Sequence, residues 1–241
     1  MFILPINRDS DVANTPRAVV ALIAINCIVF LVTIASGSPA ALIRHYGFTP
    51  AHAQLLTLFT SMFLHAGWLH LFGNMWFLWM FGKDVENSMG MWLFGLLYLL
   101  CGLGGGLLHF LFNLKSAIPC VGASGAISGI MGCFLILFPK ADFDLTIYFG
   151  WFRITTIETH ATAAVCTWLG EQALLGLLTQ AIRLSSVAFW AHVGGFVVGI
   201  AAGLVFKKFI TLDSEGMPIA RPWFIPTQVY KERDDLTQLK L

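Results

Sequence analysis

Met91-Trp-Leu-Phe-Gly-Leu-Leu-Tyr-Leu-Leu-Cys-Gly-Leu-Gly-Gly-Gly-Leu-Leu-His-Phe-Leu-Phe112 runs for 22 residues without a Lys, Arg, Asp or Glu. A helix needs about 20 predominantly apolar residues to cross a hydrocarbon core about 30 Å thick, and this run is long enough. Outward from it, comparable runs occur at Ala18–Ala35, about Phe63–Phe81, Cys120–Phe138 and Val187–Phe206. A sixth, about Thr155–Ala181, carries Glu158 near its start and Glu171 inside it. Leu, Ala, Met and Gly fill the runs, and apolar residues are continuous rather than alternating, so helices are expected and strands are not. The fold expected is an all-α, polytopic bundle of six transmembrane helices.

Composition agrees. Of 241 residues, 57% are hydrophobic and 11% charged, with a mean hydropathy of +0.77. A soluble domain carries about 25% charged residues; this chain has too little polar side chain to cover a water-facing surface. Its net charge of +1 gives no general electrostatic attraction to nucleic acid, and no nucleic-acid partner is expected. Three parts are expected: an N-terminal segment 1–17, a membrane domain 18–206 and a tail 207–241.

Orientation follows from Lys and Arg, which favour cytoplasmic loops. With the N-terminus inside, the inner segments hold Arg8, Arg17, Lys83, Lys140, Arg153, Lys207, Lys208, Arg221, Lys231, Arg233 and Lys240, and the outer ones only Arg44, Lys115 and Arg183. Both termini are therefore expected in the cytoplasm, with a bacterial inner membrane as the expected setting. No cleavable signal peptide is expected, because the first run follows a polar-to-mixed segment without a small-residue cleavage pattern. Ser36–Ser61 is too apolar for a solvated loop and is expected in the outer interface or packed on the bundle. The polar tail from Thr211, with its charged run Lys231–Asp235, is expected to be a solvated cytoplasmic extension. The five cysteines (Cys27, Cys101, Cys120, Cys133, Cys166) show no CxxC spacing and are given no role.

Polar side chains are costly in hydrocarbon, and an intramembrane one points to function. Three helix starts carry them: His65-Ala-Gly-Trp-Leu-His70-Leu-Phe-Gly-Asn74, Gly122-Ala-Ser124-Gly125-Ala-Ile-Ser128-Gly129, and Ala191-His192-Val-Gly-Gly195-Phe-Val-Val-Gly199. Even-numbered spans run from outside to inside, so all three starts lie toward the outer leaflet at similar depth. His70 and Asn74, four apart, share a helical face. Gly125 and Gly129, like Gly195, Gly199 and Gly203, have the small-xxx-small spacing that lets membrane helices approach closely. If those two faces meet, the Ser124 hydroxyl and the His192 imidazole come within reach of each other. Serine becomes a nucleophile when a base takes its proton, and histidine has a suitable pKa range. His70, the Asn74 amide and the Ser124 backbone N–H are candidate donors to the oxyanion of an acyl-transfer intermediate. With no obvious third acid, a Ser–His dyad is expected.

At these residues the sequence resembles the rhomboid family of intramembrane serine proteases. The matching pieces are His65-x4-His70-x3-Asn74, Gly122-Ala-Ser124-Gly125, Ala191-His192-Val-Gly-Gly195 with Gly199, and Phe81-Gly-Lys-Asp-Val-Glu86 through Gly90. The resemblance covers roughly Ala18 to Phe206. It implies a six-helix bundle with a water-filled cavity opening outward, Ser124 as nucleophile, His192 as general base, and His70 and Asn74 in the oxyanion site. It implies single-pass or other transmembrane protein substrates cut near helix-destabilising residues, lipid as the surroundings, and no metal or nucleotide cofactor. The fifth span and the first loop would control substrate access. Three features depart from the family pattern. Ser128 stands where some relatives have an aromatic residue that can stack on the histidine; no Trp-Arg pair occurs near Ala53–Leu58; and Glu171 sits beside Gln172. They bear on substrate preference and cavity detail.

Other residues have plainer readings. His65 is read as structural, tying the first loop to the helix start. His109 and His160 are placed near span ends and His45 and His52 in the loop, without a function. Glu158 is expected to snorkel or pair with Arg153. For Glu171 a solvated cavity position, a helix–helix hydrogen bond and modulation of His192 all stay open. The alternatives to a protease are a catalytically inactive relative that binds transmembrane clients and a small transporter. The second would typically show inverted repeats or broken helices in both halves, which are not found. A zinc membrane protease would want His-Glu-x-x-His, which is absent from the sequence.

Overall fold

The structure, a computed structural model, describes residues 2–7, 15–149, 152–170 and 189–209. The apolar runs form helices: α1 (Arg17–Ala35), α4 (Trp68–Met89), α5 (Met91–Phe112), α6 (Ser124–Leu137), α7 (Ala161–Gly170) and α8 (Phe189–Lys207). The first loop adds two short helices, α2 (Pro39–Tyr46) and α3 (Leu55–Thr60). At about 1.5 Å per residue the 19 residues of α1 reach about 28 Å. Among the described residues α1, α5 and α8 are long and apolar enough to cross a membrane, and Leu55–Phe63 with Trp68–Met89, bent by 88°, makes a fourth if counted as one span. The chain is a mostly helical polytopic membrane protein.

Helix α6 has only 14 residues, yet Gly125 through Phe134 are all buried. A helix that is apolar all round belongs in the interior of a bundle, and α6 is the centre of this one, with α4, α5 and α8 against it. Its glycines set the spacing to α8. A Cβ placed on Gly195 would collide with the carbonyl oxygen of Gly125, and one on Gly199 with that of Gly129. On its other side α8 meets α5, where a Cβ on Gly105 would collide with the carbonyl oxygen of Ala191. Without a hydrophobic force between helices in lipid, such close backbone contact is a main source of association.

At the opposite end from the expected outer surface, Glu86 of α4 accepts the N–H groups of Ala18 and Val19, each at 2.8 Å. These belong to the first turn of α1, whose N–H groups have no partners within the helix. A carboxylate there also answers the positive end of the helix dipole. Val19 and Phe94 are buried, and both would meet a Cβ placed on Gly82, one turn before Glu86.

The Ser36–Ser61 segment packs on the bundle. The Leu58 side chain, and just beyond the segment that of Met62, occupy the space beside Gly106 and Gly102 of α5, where a Cβ would collide with them. Phe48 and Cys120 exchange backbone hydrogen bonds of 3.0 and 2.8 Å, which joins this segment to the approach to α6.

One part of the architecture departs from the all-α expectation. Strands β1 (Phe2–Asn7), β2 (Asp142–Phe149) and β3 (Phe152–His160) form an antiparallel sheet in the order β1-β2-β3. Asp144 of β2 lies opposite Ile6 on one side and Glu158 on the other. Thus Thr155–His160, the start of the expected fifth span, is strand, and Glu158 stands in β3 rather than at the foot of a helix. The reason is local. Asp142-Phe-Asp-Leu-Thr-Ile alternates polar and apolar residues, and β-branched Thr155-Thr-Ile-Glu-Thr159 favours a pleated surface. Phe143 fixes the sheet to the bundle. It is fully buried, stacked on Phe81 with ring centroids 5.5 Å apart and edge-on to Phe134 at 5.8 Å. The rest of the expected fifth span beyond Gly170, with Glu171, and the tail from Thr211 lie outside the described residues.

Candidate active site

Ser124 is the first residue of α6, so its own N–H has no acceptor within the helix. The turn that delivers it depends on Gly122. Its φ of 130° lies in a region open mainly to glycine, and a Cβ there would come within 2.8 Å of His70 Nε2. Gly122 therefore makes both the bend into α6 and the room for the His70 ring. Its N–H donates to Ser61 O at 2.9 Å, which ties the turn to the first loop.

His192 is the fourth residue of α8, at the end where the glycine contacts with α6 begin. The Ser124 hydroxyl and His192 Nε2 are 2.8 Å apart, and the imidazole is buried at 6% exposure. With Ser124 donating, the ring proton resides on Nδ1, which is buried and has no hydrogen-bond partner among the described residues. The backbone of the histidine is held too, because the Ser128 hydroxyl donates to His192 O at 2.8 Å.

His70 and Asn74 lie one turn apart in α4 and face the same space. A cavity of about 490 Å³ is lined by both, by Ser124 and His192, and by Phe77 and Trp168. Asn74 Nδ2 is buried without a hydrogen-bond partner among the described residues, a donor available to whatever enters. Ala66 N–H donates a long 3.4 Å bond to His70 Nδ1, which leaves the ring proton on Nε2, the nitrogen facing Gly122. The four residues singled out from the sequence thus border one cavity. A serine hydroxyl beside an imidazole, with several N–H donors nearby, is an arrangement suited to acyl transfer.

The remaining candidates are elsewhere. His65 is buried behind His70, its ring edge-on with centroids 5.1 Å apart. His109 shares the end of α5 with Asn113, which donates to His109 O at 2.9 Å. His160 belongs to the sheet, 2.9 Å from Asp142. His45 is in α2 and His52 in a single 3-10 turn. Among the described residues no three His, Cys, Asp or Glu side chains converge as a metal site would require, and all five cysteines are free thiols.

Sequence reasoning missed two contributors and gave a third no role of its own. Trp168 of α7 stands against the His192 ring, centroids 5.7 Å apart, and Phe77 of α4 is 6.0 Å from Trp168. Gly122 was visible only as part of a motif. A search for polar groups in apolar runs passes over aromatic side chains, and nothing in the spacing marks Trp168 as a neighbour of His192.

Comparison with known proteins places the chain in a family. A family model described as the rhomboid domain matches residues 52–209. RHOMBOID-like protein 1 of Arabidopsis thaliana is 36% identical over 153 residues, 64% of this chain and 35% of that protein. RHOMBOID-like protein 6, mitochondrial, also of Arabidopsis thaliana, is 33% identical over 61% of this chain and 42% of its own length. Rhomboid-type serine protease 2 of Emericella nidulans is 29% identical over 73% of this chain and 32% of its own length. The chain thus spans well under two thirds of the length of these curated relatives. Since the matched domain takes up well over half of the chain, the protein belongs to the rhomboid family, whose members include serine proteases.

Proposed function

We propose that the chain is an intramembrane serine endopeptidase that cuts membrane-anchored proteins within or near their transmembrane segments. The observation that carries this reading is the 2.8 Å contact of Ser124 Oγ with His192 Nε2 inside a cavity that His70 and Asn74 also line.

In this reading Ser124 Oγ bonds to the scissile carbonyl carbon while its proton passes to His192 Nε2. The carbonyl electron pair moves onto oxygen, which accepts hydrogen bonds from Asn74 Nδ2, His70 Nε2–H and the Ser124 N–H. The positive end of α6 favours the same charge. Collapse expels the amine, which takes the proton from Nε2, and a water molecule repeats the sequence to release the acyl group. Burial strengthens each hydrogen bond to the oxyanion, and donors already in place need no reorganisation as the charge develops. Hydrolysis needs water, which the cavity would admit from the outer side if the Lys and Arg bias sets orientation as expected. Both termini would then lie in the cytoplasm.

Ser124→Ala and His192→Ala, made separately and reconstituted in liposomes with a single-pass substrate, should each abolish cleavage. A fluorophosphonate should label the native protein readily, His192→Ala far more slowly, and Ser124→Ala not at all. Cleavage that persists in purified Ser124→Ala would reject the mechanism.

A further inference from the structure

Among the described residues the imidazole of His192 has a hydrogen bond at one nitrogen only. Nε2 meets Ser124 Oγ, Nδ1 has no hydrogen-bond partner among the described residues, and the bond from Ser128 fixes the backbone carbonyl rather than the ring. Rotation about the bond to the ring must therefore be opposed by packing. On the cavity side that packing is Trp168, whose ring centroid is 5.7 Å from that of the imidazole at an interplanar angle of 43°. The separation lies within the range of about 4.5–7 Å in which aromatic rings attract each other beyond the area they bury. Trp168 is itself braced by Phe77 at 6.0 Å, and Phe77 by Phe81 at 6.0 Å. A line of rings thus runs from the buried core through α4 and α7 to the imidazole.

We infer that Trp168 is the positioning residue that holds the His192 ring in line with Ser124, in place of the acid that orients a histidine in a Ser-His-Asp arrangement. This rests on the reading of Ser124 and His192 as a reacting pair. It adds that a residue of α7 sets the competence of the base as well as forming a wall of the cavity. An imidazole free to swing loses the short contact with Ser124 Oγ, and a displacement of about 1 Å can cost on the order of a hundredfold in rate.

The test uses a small water-soluble fluorophosphonate and the full chain in detergent. Ser124 Oγ bonds to phosphorus, fluoride leaves, and the hydroxyl proton passes to His192. Because the probe needs no lateral passage between helices, its maximal inactivation rate reports on the pair itself. Trp168→Ala should lower that rate by roughly tenfold to a hundredfold, while the probe concentration giving half the maximal rate stays unchanged. Trp168→Phe, which keeps a flat ring, should recover most of it. If the alanine variant is unstable, Trp168→Leu fills the space without a flat face and should also be slow. A role in stability alone would lower the unfolding temperature and leave inactivation well below it at the native rate. A role as a wall alone would leave the probe unaffected or faster. Either result overturns the inference. Labelling of the native protein that Ser124→Ala does not remove is a different outcome, and it would reject the protease reading itself.

Discussion

Gly199 of α8 lies so close to Gly129 of α6 that a Cβ on Gly199 would collide with the Gly129 carbonyl oxygen. This contact sits about two turns along α8 from His192, and the Gly195–Gly125 contact lies between them. Together they form a row that holds the two helices at the distance which lets Ser124 meet His192. The colliding atoms are backbone atoms, which no change of rotamer can remove. Gly199→Ala should therefore push α8 away from α6, at a cost of about 1–3 kcal/mol, and reduce cleavage more than the stability loss alone would explain. Gly95 in α5 has open space around its Cβ position, so Gly95→Ala should leave both stability and activity close to native. Unfolding in mixed micelles and the rate of fluorophosphonate labelling measure the two effects. Equal behaviour of the two variants would show that the glycine row does not set the geometry.

Asn74 supplies a buried amide donor with no hydrogen-bond partner among the described residues. A donor left unmet in the resting protein has its use when negative charge appears beside it. Asn74→Ala should lower kcat by about 10²–10³-fold with little change in KM, the size of effect that follows loss of one oxyanion donor. Asn74→Asp keeps the shape but presents a carboxylate to the oxyanion, and should be slower still. Steady-state cleavage in liposomes separates kcat from KM. A variant whose KM rises while kcat holds would place Asn74 in substrate binding instead.

The legible part of this chain was the part written in costs that lipid imposes. A serine, two histidines and an asparagine stand out in apolar runs because hydrocarbon penalises them, and the glycines beside Ser124 and His192 showed which faces could meet. The sheet was not legible by that route. A search for long charge-free runs passes over Asp142–Phe149, and it absorbs Thr155–His160 into an apolar run although four of those six residues are β-branched. Trp168 escaped for a different reason. Its contact with His192 joins two helices far apart in sequence, and an aromatic residue in a membrane helix carries no mark of what it touches.

Glu86 anchors the start of α1 from the last part of α4 by accepting two N–H groups with its two oxygens. Hydrogen bonds to a charged group contribute about 1.5–3 kcal/mol each when buried, although the two share one desolvated carboxylate and do not add. Glu86→Ala leaves both donors unpaired and should destabilise the bundle by about 2–3 kcal/mol. Glu86→Gln keeps one oxygen acceptor and loses the charge, so it should fall between the alanine variant and the native protein. Both variants should label at Ser124 at near-native rates well below their unfolding temperatures, because the cap lies at the far end of α4 from His70 and Asn74. A labelling rate that falls in step with the cap would mean that α1 takes part in shaping the cavity.

Phe143 and Phe149 begin on the same strand and end in opposite environments. Phe143 is fully buried against Phe81 and Phe134, whereas Phe149 is 67% exposed at the end of β2. Removing the first ring leaves a cavity where sheet and bundle join, and Phe→Ala changes in such places cost about 3–5 kcal/mol. Removing the second takes away little buried surface and should stay within about 0.5 kcal/mol of native. Because α7 follows β3 directly, with Ala161 N–H donating to Ala141 O at 2.8 Å, a loosened sheet also frees the start of the helix that carries Trp168. Phe143→Ala should therefore slow fluorophosphonate labelling of Ser124 even at temperatures where the protein stays folded, and Phe149→Ala should not. Loss of stability in Phe143→Ala with labelling unchanged would show that the sheet anchors the fold without reaching the reacting pair.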